Sequence, residues 1–444
     1  VPGYHRSGTL AGFTLDEEKR ECGGVGLSVF MAGFAASSEA KRLPVCVVRR
    51  ARRARRNSTF TLEEFLMKRL GVLCMVLAMV CGFAGMAVAS DTVRVGVFLP
   101  LTGQNAFGGQ LELEGVQMAH KEMGEVLGKK VELFVVDNKS DKVESANAVK
   151  RLIEKEKVQA IIGTYGSSLA MAGGEVSEKA GIPQVGTSCT NPLVTQGKKY
   201  IFRVCFIDPF QGAGAATYAF RDLGLKKAAL LIDVANDYSV GLASFFNKSF
   251  TKLGGEVVAT LNYQSGDQDF TAQLQEIMSK GPEVLFIPSY FAEGAIIMKQ
   301  AQELGATFQI MGGDAMDNPE ITAIGGSAVE GFIHTTFPYD PSMPDMNPVA
   351  QKFTEEWTKI NPNKDPNVNA ALGYDAYMII MDAITRAGSA EPQAIRDALA
   401  ATKDFVGVTG TTTINETHDA EKPVGLVKII DGKKTYVGAI TPEL

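Results

Sequence analysis

Val93-Arg94-Val95-Gly96-Val97-Phe98-Leu99, followed directly by Pro100-Leu101-Thr102-Gly103-Gln104-Asn105-Ala106-Phe107-Gly108-Gly109, decides the fold. Seven residues rich in Val and closed by Pro read as a strand. The glycine-rich turn leads into helical character over Gly108–Met123. The turn has three glycines but neither G-x-G-x-x-G nor a Walker pattern, so no nucleotide site is indicated.

The same strand–turn–helix unit recurs downstream. Strands are expected at Lys130–Asp137, Ala160–Gly163, Ala228–Asp233, Glu256–Tyr263, Val284–Ile287 and Gln309–Met311. Helices are expected near Lys142–Lys155, from about Ser167, and at Gln211–Leu223, Val240–Leu253, Phe270–Met278 and Ala292–Leu304. Such alternation argues parallel sheets covered by helices on both faces. The continuous apolar run Ala228-Ala229-Leu230-Leu231-Ile232 fits a strand buried on two sides. About 350 residues of this pattern exceed the usual size of one core, so two α/β lobes are expected. Ligands of such sheets sit beyond the carboxyl ends of strands.

Upstream of Val93 the sequence changes character. Met67-Lys68-Arg69 opens a positive start, Leu70 to Phe83 is apolar, and Ala87-Val88-Ala89 offers an A-x-A site before Ser90. Residues 67–90 therefore read as a cleaved signal peptide, which implies export to the periplasm. A membrane anchor is the alternative for the apolar run. Val80 before Cys81 disfavours a lipoprotein site. Residues 1–66, with the basic run Arg49–Arg56, are expected to be a disordered upstream extension from a misassigned start, or else a basic arm.

Composition narrows the function. The chain holds 44 Lys/Arg and 50 Asp/Glu. Of these, 13 and 7 fall in residues 1–90, leaving 31 basic and 43 acidic residues, a net −12. An acidic body argues against a nucleic-acid partner. Four histidines in 444 residues disfavour histidine catalysis or a His-rich metal site, and no Ser-His-Asp set appears. No enzyme activity, cofactor or metal is expected. Cys189 and Cys205 are the cysteines beyond the leader, and a disulfide and two free thiols are equally open.

The loops after the strands carry the candidate site. Gly163-Thr164-Tyr165-Gly166-Ser167-Ser168 runs into a helix. Ser there reads first as an N-cap, and beyond that as part of an anion site suited to a carboxylate. Gly186-Thr187-Ser188-Cys189-Thr190-Asn191-Pro192 is a polar cluster at a strand end. In the second half, Asp233–Tyr238, Pro288-Ser289-Tyr290-Phe291 and Gly312-Gly313-Asp314-Ala315 end three further strands. Hydroxyls in the first half and tyrosines with a carboxylate in the second divide the recognition of a zwitterion. Both charges then need partners on burial.

In this order the loops resemble the periplasmic leucine/isoleucine/valine-binding proteins of bacterial ABC importers. Gly96-Val97-Phe98-Leu99-Pro100-Leu101-Thr102-Gly103, Phe202–Phe206 with Asp208-Pro209-Phe210-Gln211-Gly212, and Asp267-Gln268-Asp269-Phe270 carry the likeness. The resemblance implies a type I periplasmic binding protein fold: two doubly wound parallel-sheet lobes joined by a three-strand hinge, a Venus-flytrap. It implies lobes of 91–206 plus 338–412 and 207–337 plus 413–444. It places the carboxylate-binding serine on Ser167, the threonine on Thr190 and a carbonyl contact near Ser188. The first-loop aromatic falls on Phe107, the lobe-closing tyrosines on Tyr238 and Tyr290, and the ammonium partner on Asp314, where the family has a longer Glu. Tyr165 is expected to line or narrow the side-chain pocket. Gly166 replaces a family cysteine, so the family's small disulfide is absent. The implied partners are an α-amino acid such as Leu, Ile or Val and a membrane permease, with the protein a monomer. The alternatives are a small amide, a γ-amino acid or an aromatic acid on the same frame, or a sensor for a signalling partner.

Overall fold

The computed structural model describes residues Thr92–Ile440. The expectations for residues 1–66 and 67–90 lie outside the described residues. The first strands and helices are β1 (Thr92–Leu99), α1 (Ala106–Glu122), β2 (Glu125–Val126), β3 (Lys129–Asp137), α2 (Lys142–Glu154), β4 (Ala160–Ile162), α3 (Ser167–Ala180), β5 (Gln184–Gly186) and β6 (Ile201–Arg203). They build a six-stranded sheet in the order β2-β3-β1-β4-β5-β6.

A second sheet follows. Its elements are α4 (Asp208–Thr217), β7 (Lys227–Asp233), α5 (Asp237–Lys252), β8 (Glu256–Tyr263), α6 (Thr271–Ser279), β9 (Val284–Ile287), α7 (Phe291–Glu303), β10 (Gln309–Gly312), α8 (Glu320–Gly325) and β11 (Ile333–Thr336). The chain then returns to the first lobe with α9 (Pro348–Ile360), α10 (Val368–Ala387), α11 (Pro392–Ala400) and the hairpin β12 (Phe405–Gly407) and β13 (Gly410–Thr412). It ends in the second sheet with β14 (Val424–Ile430) and β15 (Lys433–Ile440), giving the order β15-β14-β11-β10-β9-β7-β8. Three crossings therefore join the lobes, after β6, β11 and β13.

Each sheet contains a parallel 2-1-3-4-5 order: β3-β1-β4-β5-β6 in one, β8-β7-β9-β10-β11 in the other. The edges depart from the parallel expectation, because β2 is antiparallel to β3, and β14 and β15 join antiparallel beyond β11. The apolar runs are buried on both faces. In β9, Leu285 and Ile287 pack into one core while Val284 and Phe286 pack into the other. In β4, Ala160 and Ile162 face the core shared with α1 and α10, and Ile161 faces α2. This two-sided burial explains why these strands lack polar alternation.

The expected helix at Gln211–Leu223 starts earlier and changes type along its length. Its α-helical part is Asp208–Thr217, starting with Pro209 in its first turn, and it continues as a π turn over Tyr218–Asp222. Proline suits that first turn because its missing N–H has no partner there.

Candidate functional site

In a 2-1-3-4-5 sheet the crevice lies where the order reverses, beyond the strand ends. Here that is between β1 and β4 in one lobe and between β7 and β9 in the other. The loops after β1 and β4 hold Phe107, Tyr165 and Ser167, and the loop after β5 holds Ser188 and Thr190. The loops after β7, β9 and β10 hold Tyr238, Tyr290 and Asp314. The two sets meet across the cleft. Tyr165 Oη donates to the Ala315 carbonyl at 3.4 Å, and the Tyr165 and Tyr290 rings lie 5.6 Å apart. Tyr290 lies 5.7 Å from Tyr238, and Phe107 meets Phe291 edge-on at 6.0 Å.

Three glycines make room for the three tyrosines. A Cβ at Gly108 would lie 2.7 Å from the Tyr165 ring. One at Gly166 would lie 2.8 Å from Tyr290 Oη, and one at Gly313 2.3 Å from Tyr238 Oη. Burial holds the three phenols well above their usual pKa, so each stays a neutral donor.

Ser167 is not the N-cap expected from sequence. Gly166, at φ 94°, caps α3, and it supplies no side chain. Ser167 sits inside the first turn, where its Oγ accepts the Asn191 N–H at 3.1 Å. That leaves its hydroxyl proton, and the unpaired N–H groups of the first turn, to face an anion. Thr190 Oγ1 is buried against the Asp208 carboxyl, to which it can donate. The Ser188 carbonyl accepts the Gly166 N–H at 3.3 Å.

Asp314 is buried and accepts from Tyr238 Oη at 2.9 Å, and its N–H donates to Gln211 Oε1 at 2.7 Å. Burial outweighs these hydrogen bonds and pushes its carboxyl up to about 6. Thr335 Oγ1 donates to the same Gln211 oxygen at 2.6 Å. Gln211 Nε2 reaches Asp208 Oδ1 at 3.3 Å.

Three residues with roles here escaped the sequence reading. Asp208 is fully buried, and burial together with the Asp314 charge raises its pKa well above the carboxylate range. A hydrogen bond from Thr190 offsets this only in part. Glu112 on α1 accepts from Thr187 Oγ1 at 2.6 Å and from Ser188 Oγ, which fixes the loop carrying Thr190. Burial pushes Glu112 up to about 8. Arg203 ends β6 with no exposure and donates to the Cys189 and Asn191 carbonyls of the same loop. Asp208 and Arg203 stood in a quoted stretch, but a charge that turns inward has no local signature. Glu112 lies on the apolar face of a helix, and that position was its available signal.

Cys189 and Cys205 are free and buried. Among the described residues, no cluster of three or more His, Cys, Asp or Glu is arranged to hold a metal. No described helix is long and apolar enough to cross a membrane.

Two lobes of equal strand order, a triple crossing between them and a polar cleft at both switch points define a type I solute-binding clamp. The chain belongs to the periplasmic binding protein family, whose match spans residues 92–434. It is similar to a leucine binding protein, LivK, of Thermotoga maritima, with 45% identity and a TM-score of 0.77, covering 79% of this chain and 99% of that one. It is also similar to LivJ of Streptococcus pneumoniae, solved in complex with isoleucine (30% identity, TM-score 0.75, 79% and 100% covered). A third relative is a leucine-, isoleucine-, valine-, threonine- and alanine-binding protein of Pseudomonas aeruginosa. It is 29% identical, covering 77% of this chain and 90% of the relative.

Proposed function

We propose that the chain is the substrate-binding subunit of an ABC importer and captures a branched-chain or other hydrophobic α-amino acid. The observation that carries this reading is the pairing across one cleft of the α3 start, which has no side-chain cap, with the buried carboxyl of Asp314. The helix start with Ser167 takes the ligand carboxylate. Asp314, with Thr190 and the Ser188 carbonyl, takes the ammonium. Phe107, Tyr165, Tyr238 and Tyr290 enclose the side chain. The relatives' named ligands support the same class.

The ligand first meets Ser167 and Thr190 in the lobe of 91–206 plus 338–412. Closure then brings in the tyrosines and Asp314 from the lobe of 207–337 plus 413–444. Closing is favoured only by contacts the ligand makes to both lobes. The closed clamp delivers the ligand to a permease, after export directed by residues 67–90 and as a monomer. Binding, not catalysis, is the assigned role.

A thermal-shift screen of protein unfolded and refolded to strip ligand tests this against the twenty amino acids, small amides and aromatic acids. Ligand at a hundred times its Kd adds about 2.7 kcal/mol of stability. Shifts confined to Leu, Ile, Val and close relatives are expected. A shift by an aromatic acid alone moves the reading to the carboxylate-only alternative.

A further inference from the structure

Outside the ligand chamber, one residue of the second lobe is held by the first lobe at three points. Asp237 opens α5, next to Tyr238. Its Oδ2 accepts from Ser168 Oγ at 2.7 Å and from Lys142 Nζ at 3.1 Å. Its N–H donates to Ser168 Oγ at 3.0 Å, and its carbonyl accepts from Asn191 Nδ2 at 2.8 Å. Ser168 lies in the first turn of α3, Asn191 in the loop after β5, and Lys142 opens α2, all in the first lobe. Three of the four residues lie one position from a proposed ligand contact: Ser168 beside Ser167, Asn191 beside Thr190, and Asp237 beside Tyr238. The backbone therefore couples grip inside the chamber to docking outside it.

A second feature is built for this contact. Gly241 lies one turn along α5, and a Cβ there would stand 2.6 Å from Asn191 Nδ2. Asn191 has little freedom to move aside, because its Oδ1 accepts the Leu193 N–H at 2.9 Å while its Nδ2 is spent on Asp237. Glycine costs a helix interior stability relative to alanine. Its place on a face that meets the other lobe is explained by close approach on closure.

We propose that Asp237 is the closing latch of the clamp, a positioning residue that sets ligand affinity and release without touching the ligand. Asp237, Ser168 and Asn191 form the latch, Gly241 is the seat that lets Asn191 reach it, and Lys142 is an exposed auxiliary. The side chains of Lys142 and Asp237 are 53% and 45% exposed, so that ion pair alone adds little. Contacts made only in the closed state slow opening, so their loss appears in the dissociation rate. The latch rests on the reading that the two lobes open and close.

The test measures leucine binding and release by calorimetry and stopped flow on the full chain and on Asp237→Ala, Gly241→Ala and Lys142→Ala. Asp237→Ala and Gly241→Ala are expected to dissociate leucine about tenfold faster with an unchanged association rate. Lys142→Ala is expected to stay within about threefold of the parent. Gly241→Ala keeps or raises the ligand-free melting midpoint, which separates a latch defect from a folding defect. Wild-type release rates in both Asp237→Ala and Gly241→Ala would overturn the latch. A readout without ligand separates it from the ligand assignment: spin labels, one on each lobe, report the closed fraction of ligand-free protein. Both variants are expected to lower that fraction whether or not leucine binds, and an unchanged fraction overturns the proposal.

Discussion

The two lobes share a 2-1-3-4-5 parallel core yet equip their strand ends differently. In the first lobe the helix after β4 starts at Gly166 without a side-chain cap, and hydroxyls of Ser167 and Thr190 stand beside it. In the second lobe the helix after β7 is capped by Asn236, whose side chain accepts the Tyr238 N–H. There the strand ends present Tyr238, Tyr290 and Asp314 instead. The second lobe's helix at the strand equivalent to β4, α7 after β9, also starts without a side-chain cap, so the difference lies in what stands beside it: small hydroxyls in one lobe, the Tyr290 ring in the other. On the proposed reading the same scaffold offers an anion site on one side and an aromatic-walled cation site on the other. A repeated fold sets where a ligand binds, and the loops set which end of the ligand each half receives.

That division fails most visibly if its charged partners are removed one lobe at a time. Asp314→Ala is expected to weaken leucine binding by about thirtyfold to several thousandfold, as loss of one member of a buried charge pair costs about 2–5 kcal/mol. Ser167→Ala removes one hydrogen bond to a charged group and is expected to cost about 2 kcal/mol, roughly thirtyfold. Calorimetry on both variants decides the matter. A ligand that tolerates Asp314→Ala but not Ser167→Ala carries no ammonium.

Acid should act on the second lobe alone. Burial lifts the Asp314 carboxyl to about 6, and an ammonium ligand requires it ionised. Lowering the pH from 7 to 5 protonates it and is expected to weaken binding about tenfold, by linkage. The Asp314→Ala variant should lose this dependence. The stability of the ligand-free protein runs the other way, because a carboxyl whose folded pKa is raised favours the fold when protonated.

A further effect lies in the first lobe, beneath its ligand loop. Burial raises Glu112 from 4.5 to about 8. Its contribution to stability is full below its unfolded value near 4.5 and is lost as pH rises through about 8. Ligand-free protein is expected to melt several degrees lower at pH 9 than at pH 5, and Glu112→Gln is expected to flatten that slope. A melting series across this range for both proteins checks it. An equal slope in Glu112→Gln would place the titrating group elsewhere.

Much of this was legible in the chain itself. The apolar strands and the amphipathic helices between them specify two parallel α/β sheets, because strand and helix periods are local properties. The strand-end loops follow from that pattern, and within them the family resemblance singled out Tyr165, Ser167, Thr190, Tyr238, Tyr290 and Asp314. The π turn after Thr217 and the antiparallel edge strands β14 and β15 were not legible, since tertiary packing sets them.

What the sequence determined by itself is the architecture and the chemical types at the strand ends. What only the tertiary structure decided is which of those groups meet. Gly166 displaces Ser167 from the cap position. Glu112 reaches Thr187 and Ser188 across 75 and 76 residues, and Asp237 docks on Ser168 across 69. Hydrophobic periodicity repeats within a few residues and can be read locally. A buried carboxylate or an interlobe hydrogen bond depends on partners distant in the chain, whose positions exist only once both sheets have formed.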